Sequence, residues 1–161
     1  MIDSIISALD GIPKELIIFI ISMLPILELR GGMIAASLLG VPWTRAFAIC
    51  VIGNMIPIPL ILLFIRQIFV LLKKVPFFNR LITKIEAAAG RKGGKINKSR
   101  NLGLFSFVAI PLPGTGAWMG ALIATMLDIR MKRSFPIIFA GVITAGLIMS
   151  VLSYLIPGLF F

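Results

Sequence analysis

The chain has 161 residues, of which 59% are hydrophobic and only 14% are charged, and its mean hydropathy is +1.08. Soluble domains contain roughly 45–50% apolar residues. This composition therefore excludes an ordinary soluble globule and indicates a single membrane domain over residues 1–161. The net charge is +10, histidine is absent and Cys50 is the single cysteine, so the chain lacks an internal disulfide and the usual acid–base or metal cluster of an enzyme.

Four apolar segments follow one another along the chain. They run over Leu16–Val41, Ala46–Leu72, Leu102–Ile129 and Phe135–Ile156. Glu28–Gly32 interrupts the first segment and Pro111–Gly116 the third. At about 1.5 Å per residue, neither half of an interrupted segment crosses about 30 Å of hydrocarbon. Each interrupted segment is therefore predicted to be a re-entrant helical hairpin, followed by a transmembrane helix. Four ordinary spans remain the alternative.

The linker between the second and third segments, residues 73–100, holds nine of the sixteen basic residues and one acid, Glu86. Such a stretch marks the cytoplasmic side and attracts anionic lipid headgroups. Within it, apolar residues recur at helical spacing and predict an amphipathic helix on the membrane surface: Phe77, Phe78, Leu81, Ile82 and Ile85. No RNA-binding motif accompanies the charge, so the expected partners are membrane lipids and not nucleic acid.

Comparison of the chain with itself at a spacing of 88 residues gives nine identities in thirty positions. Gly32 pairs with Gly120 and Arg45 with Arg133, which apolar bias alone does not explain. Two repeats are predicted, at about 15–72 and about 101–161. Because the basic linker places both its ends in the cytoplasm, the repeats should be inverted, with their hairpin tips meeting near the midplane, as in many secondary transporters.

Glu28 and Arg30 form the only charged pair far from a likely membrane surface. Ionisable residues at that depth are costly and are functional hypotheses by default, although a structural salt bridge is the alternative. A carboxylate balanced between desolvation and a neighbouring cation could carry a proton during transport.

The second tip has no charged side chain, so a ligand there would contact backbone groups. Glycines let a ligand approach the main chain, and helix N-termini attract anions, so two such ends beside Arg30 could hold a phosphate. Close helix packing explains the glycines equally well. No metal or cofactor is expected, Glu28 is the predicted proton-coupling residue, and the predicted substrate-binding residues are Arg30, Gly31, Gly32, Asn54, Pro111, Pro113, Gly114, Thr115, Gly116 and Trp118.

The motifs at the two tips, Glu28-Leu29-Arg30-Gly31-Gly32 and the stretch from Pro111 to Trp118, resemble those of the small multi-drug export protein family. The likeness covers roughly residues 15–156. That family is similar to the DedA superfamily, whose members have paired, oppositely oriented re-entrant hairpins and are implicated in proton-coupled translocation of phospholipids or the polyprenyl-phosphate carrier. By this resemblance, Glu28 corresponds to the first-hairpin acid, and Pro111, Pro113 and Gly114 to the second tip. Typical DedA proteins have an arginine near that tip, which this chain lacks.

The leading hypothesis is a proton-coupled transporter or flippase for an anionic lipid, such as a polyprenyl phosphate or phospholipid, in the plasma membrane of a prokaryote. The alternative is a proton-coupled exporter of small or cationic compounds, with Glu28 as the cation site. A membrane enzyme is not expected, and a non-transporting assembly factor should tolerate loss of Glu28. A homodimer would enlarge the cavity that four short segments enclose.

Overall fold

The computed structural model describes residues 11–72, 96–112 and 114–156, together with Lys74, Pro76, Asn79, Arg80 and Thr83. Within these ranges the regular structure is entirely helical. The helices are α1 (Lys14–Met23), α2 (Glu28–Leu38), α3 (Trp43–Met55), α4 (Pro57–Leu72), α5 (Ile96–Ala109), α6 (Ala117–Met126) and α7 (Met131–Ser150), the last continuing as a π-helical turn, Val151–Leu155. The predicted amphipathic helix at Phe77–Ile85 lies largely outside the described residues.

The first hairpin turns between α1 and α2, four residues earlier than predicted. Leu24 leaves the helical conformation with φ −72° and ψ 136°, because Pro25 disfavours the α-region for the residue before it. Helix α2 then begins at Glu28. The expectation that Glu28–Gly32 forms the interruption is therefore wrong: these residues make the first turns of the returning helix.

The second hairpin confirms the interruption predicted at Pro111–Gly116, since α5 ends at Ala109 and α6 begins at Ala117. Helix α5 begins at Ile96, six residues before the predicted apolar segment. The polar end of the linker is thus part of the hairpin's first helix.

Among the described residues, two helices are long and apolar enough to cross a membrane, as predicted for the second and fourth segments. They are Trp43–Ile65, with 23 residues, and Met131–Leu155, with 25 residues. The first bends at Ile56, where Pro57 cannot donate a backbone hydrogen bond. Their outward faces carry large apolar side chains that are about half exposed: Ile52, Leu60, Leu63, Phe64, Leu147 and Leu152. Such a surface suits lipid and not water.

The described chain divides into two compact units, one within residues 1–54 and 146–161 and the other within 55–145. The first contains α1 and α2, most of α3 and the end of α7. Its elements are joined by hydrogen bonds from Ser37 Oγ to the Ser153 carbonyl at 2.6 Å and from Tyr154 Oη to the Val41 carbonyl at 2.9 Å. The second unit contains α4, α5, α6 and the first part of α7, and α6 packs against both α4 and α5.

The two units share positive-φ residues and one hydrogen bond at equal spacing along the chain. A positive φ introduces the returning helix at Glu28 (50°) and Gly116 (133°), and another follows it at Gly40 (70°) and Asp128 (52°). Both pairs are 88 residues apart. The N–H of Leu39 donates to the Ala35 carbonyl, and the N–H of Leu127 donates to the Ile123 carbonyl, each at 2.9 Å. These equal spacings agree with the predicted repeat, which stays a prediction.

The first helices of the two hairpins follow a different spacing. Gly32 lies against Ile18 and Ser22 of α1, whereas Gly120 lies against Leu104 and Val108 of α5. Ile18 with Leu104, and Ser22 with Val108, are 86 residues apart. The second tip thus has two extra residues, which a comparison without gaps could not reveal.

Candidate functional site at the first hairpin tip

Glu28 is the most constrained of the predicted site residues. It is 4% exposed and adopts a φ of 50°, while its N–H donates to the Leu24 carbonyl at 2.8 Å. A left-handed conformation costs an L-residue roughly 1–2 kcal/mol. The second repeat places Gly116, for which this cost is absent, at the equivalent position. A buried carboxylate therefore occupies a position whose backbone suits glycine.

Arg30 lies two residues further along α2 and is half-buried. The charge of Glu28 acts on its guanidinium. Glu28 and Arg30 therefore both lie in the first turn of the returning helix, where their charges interact. This arrangement is compatible with a proton-coupling site and with a structural ion pair.

Gly31 and Gly32 are explained by packing. A methyl group on Gly32 would collide with the Ser22 hydroxyl and would lie 2.8 Å from Cys50 Sγ. On Gly31 it would lie 2.7 Å from Cβ of Leu27. Gly32 lets the two helices of the hairpin approach closely, and the predicted contact of both glycines with substrate stays a prediction.

Asn54 lies at the end of α3 and is 2% exposed. Among the described residues, its buried Oδ1 has no hydrogen-bond partner. Most buried polar groups have one, and an exception calls for an explanation such as water or a ligand. The second repeat has Val142, 1% exposed, at the equivalent position, so the amide is not required by the shared fold.

Hydrogen bonds shape the described part of the second tip. The Thr115 hydroxyl lies 2.8 Å from the carbonyls of both Ile110 and Leu112, and it accepts the N–H of Leu112 at 3.3 Å. Gly114 has a φ of 82° and is exposed, whereas Gly116 is buried. The threonine hydroxyl predicted to contact substrate thus shapes the loop itself.

The remaining predicted residues of this tip are less informative. Pro111 and Trp118 are half-buried, and Pro113 lies outside the described residues. Near them, a methyl group on Gly120 would lie 2.5 Å from Val108 Cγ2, which repeats the packing of Gly32.

Two basic residues that the sequence analysis did not single out lie at the mouths of the hairpins. The mouth of a hairpin is the end at which its first helix begins and its second helix ends. Lys14 Nζ donates to the Leu39 carbonyl at 2.8 Å, and Arg100 Nη1 donates to the Leu127 carbonyl at 3.4 Å. Lys14 and Arg100 are 86 residues apart, and Leu39 and Leu127 are 88 apart. In each hairpin a cation at the start of the first helix therefore reaches the end of the second. A gapped self-comparison would have found the pair.

A family model described as "Putative small multi-drug export protein" matches residues 28–148, three quarters of the chain. The chain belongs to this family. The match begins at Glu28 and includes α2, the long helix Trp43–Ile65, the second hairpin and most of α7. Searches among curated proteins and among solved structures found no match.

Membership of the small multi-drug export family indicates the general function of the chain. The description concerns export, which indicates a transporter and not an enzyme. Together with the two helices that can cross a membrane, it assigns the chain to a membrane. It supports small compounds as cargo better than the anionic lipid favoured by sequence reasoning.

Proposed function

We propose that the chain is a proton-coupled membrane exporter of small compounds, with Glu28 as the proton-carrying group. The observation that carries this proposal is the burial of Glu28 in a left-handed backbone conformation where the second repeat has glycine. A fold selected for stability alone would use glycine there, and strained backbone retained at one position is a sign of function. The export family supports the same conclusion.

Each hairpin is proposed to enter and leave the membrane by one face, the two from opposite faces, as inverted repeats. The hydrogen bonds at the mouths support the hairpins, since Lys14 and Leu39 begin and end one of them and Arg100 and Leu127 the other. Basic residues at the second mouth and in the linker favour the cytoplasm for that side. Non-helical backbone at that depth is tolerated where it is buried in protein or lines a water-filled cavity.

Transport by the purified chain in liposomes tests the proposal, with ethidium as a cationic probe and an imposed pH gradient as the driving force. Glu28→Gln removes the titratable group while preserving shape and should abolish gradient-driven efflux. Glu15→Gln, which changes an exposed acid in α1, is the matched control and should be unaffected. Wild-type rates in Glu28→Gln would reject the proton-carrying role.

An anionic lipid is the second candidate cargo, favoured by the guanidinium of Arg30 beside Glu28. Arginine holds a phosphate bidentately, and an acid nearby could release it on changing charge. For this cargo Arg30→Ala should abolish movement of a fluorescent polyprenyl phosphate or phosphatidylglycerol between leaflets. Ethidium efflux that survives Arg30→Ala, with no lipid movement in the wild type, would identify the small-compound exporter.

A further inference from the structure

A cavity of about 260 Å³ lies at the mouth of the second hairpin, where α6 ends and α7 begins. Its lining includes Arg100, Arg130 and Arg133, with Asp128 as the one acid. Three guanidinium groups against one carboxylate give the lining a net charge of +2. None of these residues belongs to the proposed transport site at the hairpin tip.

Hydrogen bonds position the side chain of Arg100 and the backbone of Arg130 and Arg133. Arg100 donates to the Leu127 carbonyl at 3.4 Å, which fixes its guanidinium at the end of α6. The N–H groups of Arg133 and Ser134 donate to the Arg130 carbonyl at 2.8 Å and 2.9 Å, so that Arg130 directly precedes α7 and Arg133 lies in its first turn. The charges therefore converge from two elements on one cavity.

An apolar groove of about 730 Å³ adjoins the cavity, and Asn101 lines both. The groove runs between α5 and α7. Apart from Ser99 and Asn101, its walls are apolar: Leu102, Phe105, Pro136, Ile137 and Ala140. A cationic cavity followed directly by an apolar groove is the arrangement that a lipid with an anionic headgroup would fill.

We propose that the cavity and the groove together bind one anionic phospholipid, with its phosphate among the three arginines and an acyl chain along α5 and α7. At about 260 Å³, the cavity is smaller than the roughly 300–1,000 Å³ typical of drug-sized ligands, but it can admit a phosphate. Basic pockets between membrane helices on the cytoplasmic side bind such headgroups. The groove favours a lipid over free phosphate, because phosphate has no apolar part to bury against its walls.

The first hairpin provides an internal comparison. At the positions equivalent to Arg130 and Asp128 it has Pro42 and Gly40. Only Arg45, the counterpart of Arg133, and Lys14, the counterpart of Arg100, remain basic. Arg45→Gln therefore removes the same charge, at the same place in the repeat, from a mouth without the arginine cluster.

The test measures how strongly phosphatidylglycerol stabilises the full-length chain in neutral detergent, from the unfolding midpoint at increasing lipid concentration. Phosphatidylcholine and inorganic phosphate are the two comparison ligands. The apparent affinity for phosphatidylglycerol should fall at least tenfold in the double variant Arg130→Gln, Arg133→Gln and less than twofold in Arg45→Gln. Equal losses in the two would show general attraction to a basic surface and overturn the proposal.

Two further variants keep the proposal testable if the double variant does not fold. Asp128→Asn removes the acid, and asparagine tolerates the φ of 52° as well as aspartate does; affinity should rise about threefold. Ala140→Leu narrows the groove and should lower the affinity for phosphatidylglycerol at least fivefold. No change in either variant, or stabilisation of the wild type by inorganic phosphate as strong as by the lipid, would overturn the proposal.

Discussion

At the scale of single residues, the two repeats differ most informatively at Glu28 and Gly116. Glu28→Gly should release roughly 1–2 kcal/mol of backbone strain, more than the about 0.5–1 kcal/mol that the flexibility of glycine costs. The variant should therefore unfold at a higher temperature than Glu28→Ala, which keeps the strain, and both should lose gradient-driven transport. Thermal unfolding in detergent gives the order, and a less stable glycine variant would contradict the strain.

Asn54 is a second residue at which a gain in stability should accompany a loss of transport. Asn54→Val introduces the side chain of Val142 and removes a buried oxygen without a partner among the described residues, a group that costs about 1–3 kcal/mol. The free energy of unfolding should rise by about that amount while transport falls. Ser22→Ala is the control, because the Ser22 hydroxyl is bonded to the Ile18 carbonyl at 2.7 Å and its loss should give no gain.

Substitutions at two glycines of the second hairpin distinguish the effect of helix packing on stability from the effect of helix propensity. Gly120→Ala places a methyl 2.5 Å from Val108 Cγ2, whereas Gly103→Ala meets nothing within 4 Å. The first should destabilise by about 1–3 kcal/mol through overpacking. The second should stabilise by up to about 1 kcal/mol, because alanine favours a helix. Urea unfolding measures the change in the free energy of unfolding for each variant. Similar changes in the two variants would contradict the close helix contact.

At the scale of the helices, the sequence located one tip correctly and the other wrongly. Pro111–Gly116 contains two prolines and two glycines, and no helix continues through it. In the first hairpin, charged residues and two glycines drew attention to Glu28–Gly32, but a single proline at position 25 ends α1. Helix α2 tolerates Gly32 because close packing against α1 requires a small residue there. This contact between helices outweighs the low helix propensity of glycine, and it cannot be read from the sequence of α2 alone.

The hydrogen bonds at the mouths should hold each hairpin closed. Lys14→Met keeps an apolar stem of similar length and removes the donor to the Leu39 carbonyl. Hydrogen–deuterium exchange should become faster at the start of α1 and the end of α2, with little change in α6. Arg45→Met, which replaces an exposed cation of α3, serves as the control. Unchanged exchange in Lys14→Met would show that the bond contributes nothing to closure.

At the scale of the whole molecule, inverted repeats predict opposite exposure of equivalent residues. Thr44 and Lys132 are 88 residues apart, and both are exposed near the start of a long helix. In a Cys50→Ala background, Thr44→Cys should react with an impermeant maleimide in intact cells. Lys132→Cys should react only after the cells are opened. Labelling of both from the same side would contradict the inverted arrangement.

The sequence predicted the helical class and the two long apolar helices, because hydropathy reports directly on these. It did not predict the register between α1 and α5, since the two extra residues at the second tip break a gapless comparison. Nor did it predict the strain at Glu28 or the arginine cavity. Both depend on the path of the backbone, which brings Arg100 beside Leu127 across 27 residues of chain.

The bonds at the mouths also carry a consequence for biogenesis. Lys14 leaves the ribosome before its acceptor, 25 residues later, has been made, and the same is true of Arg100 and Leu127 over 27 residues. Neither hydrogen bond can therefore form while the second helix of its hairpin is still inside the exit tunnel. Each hairpin can therefore close only after its second helix has left the ribosome.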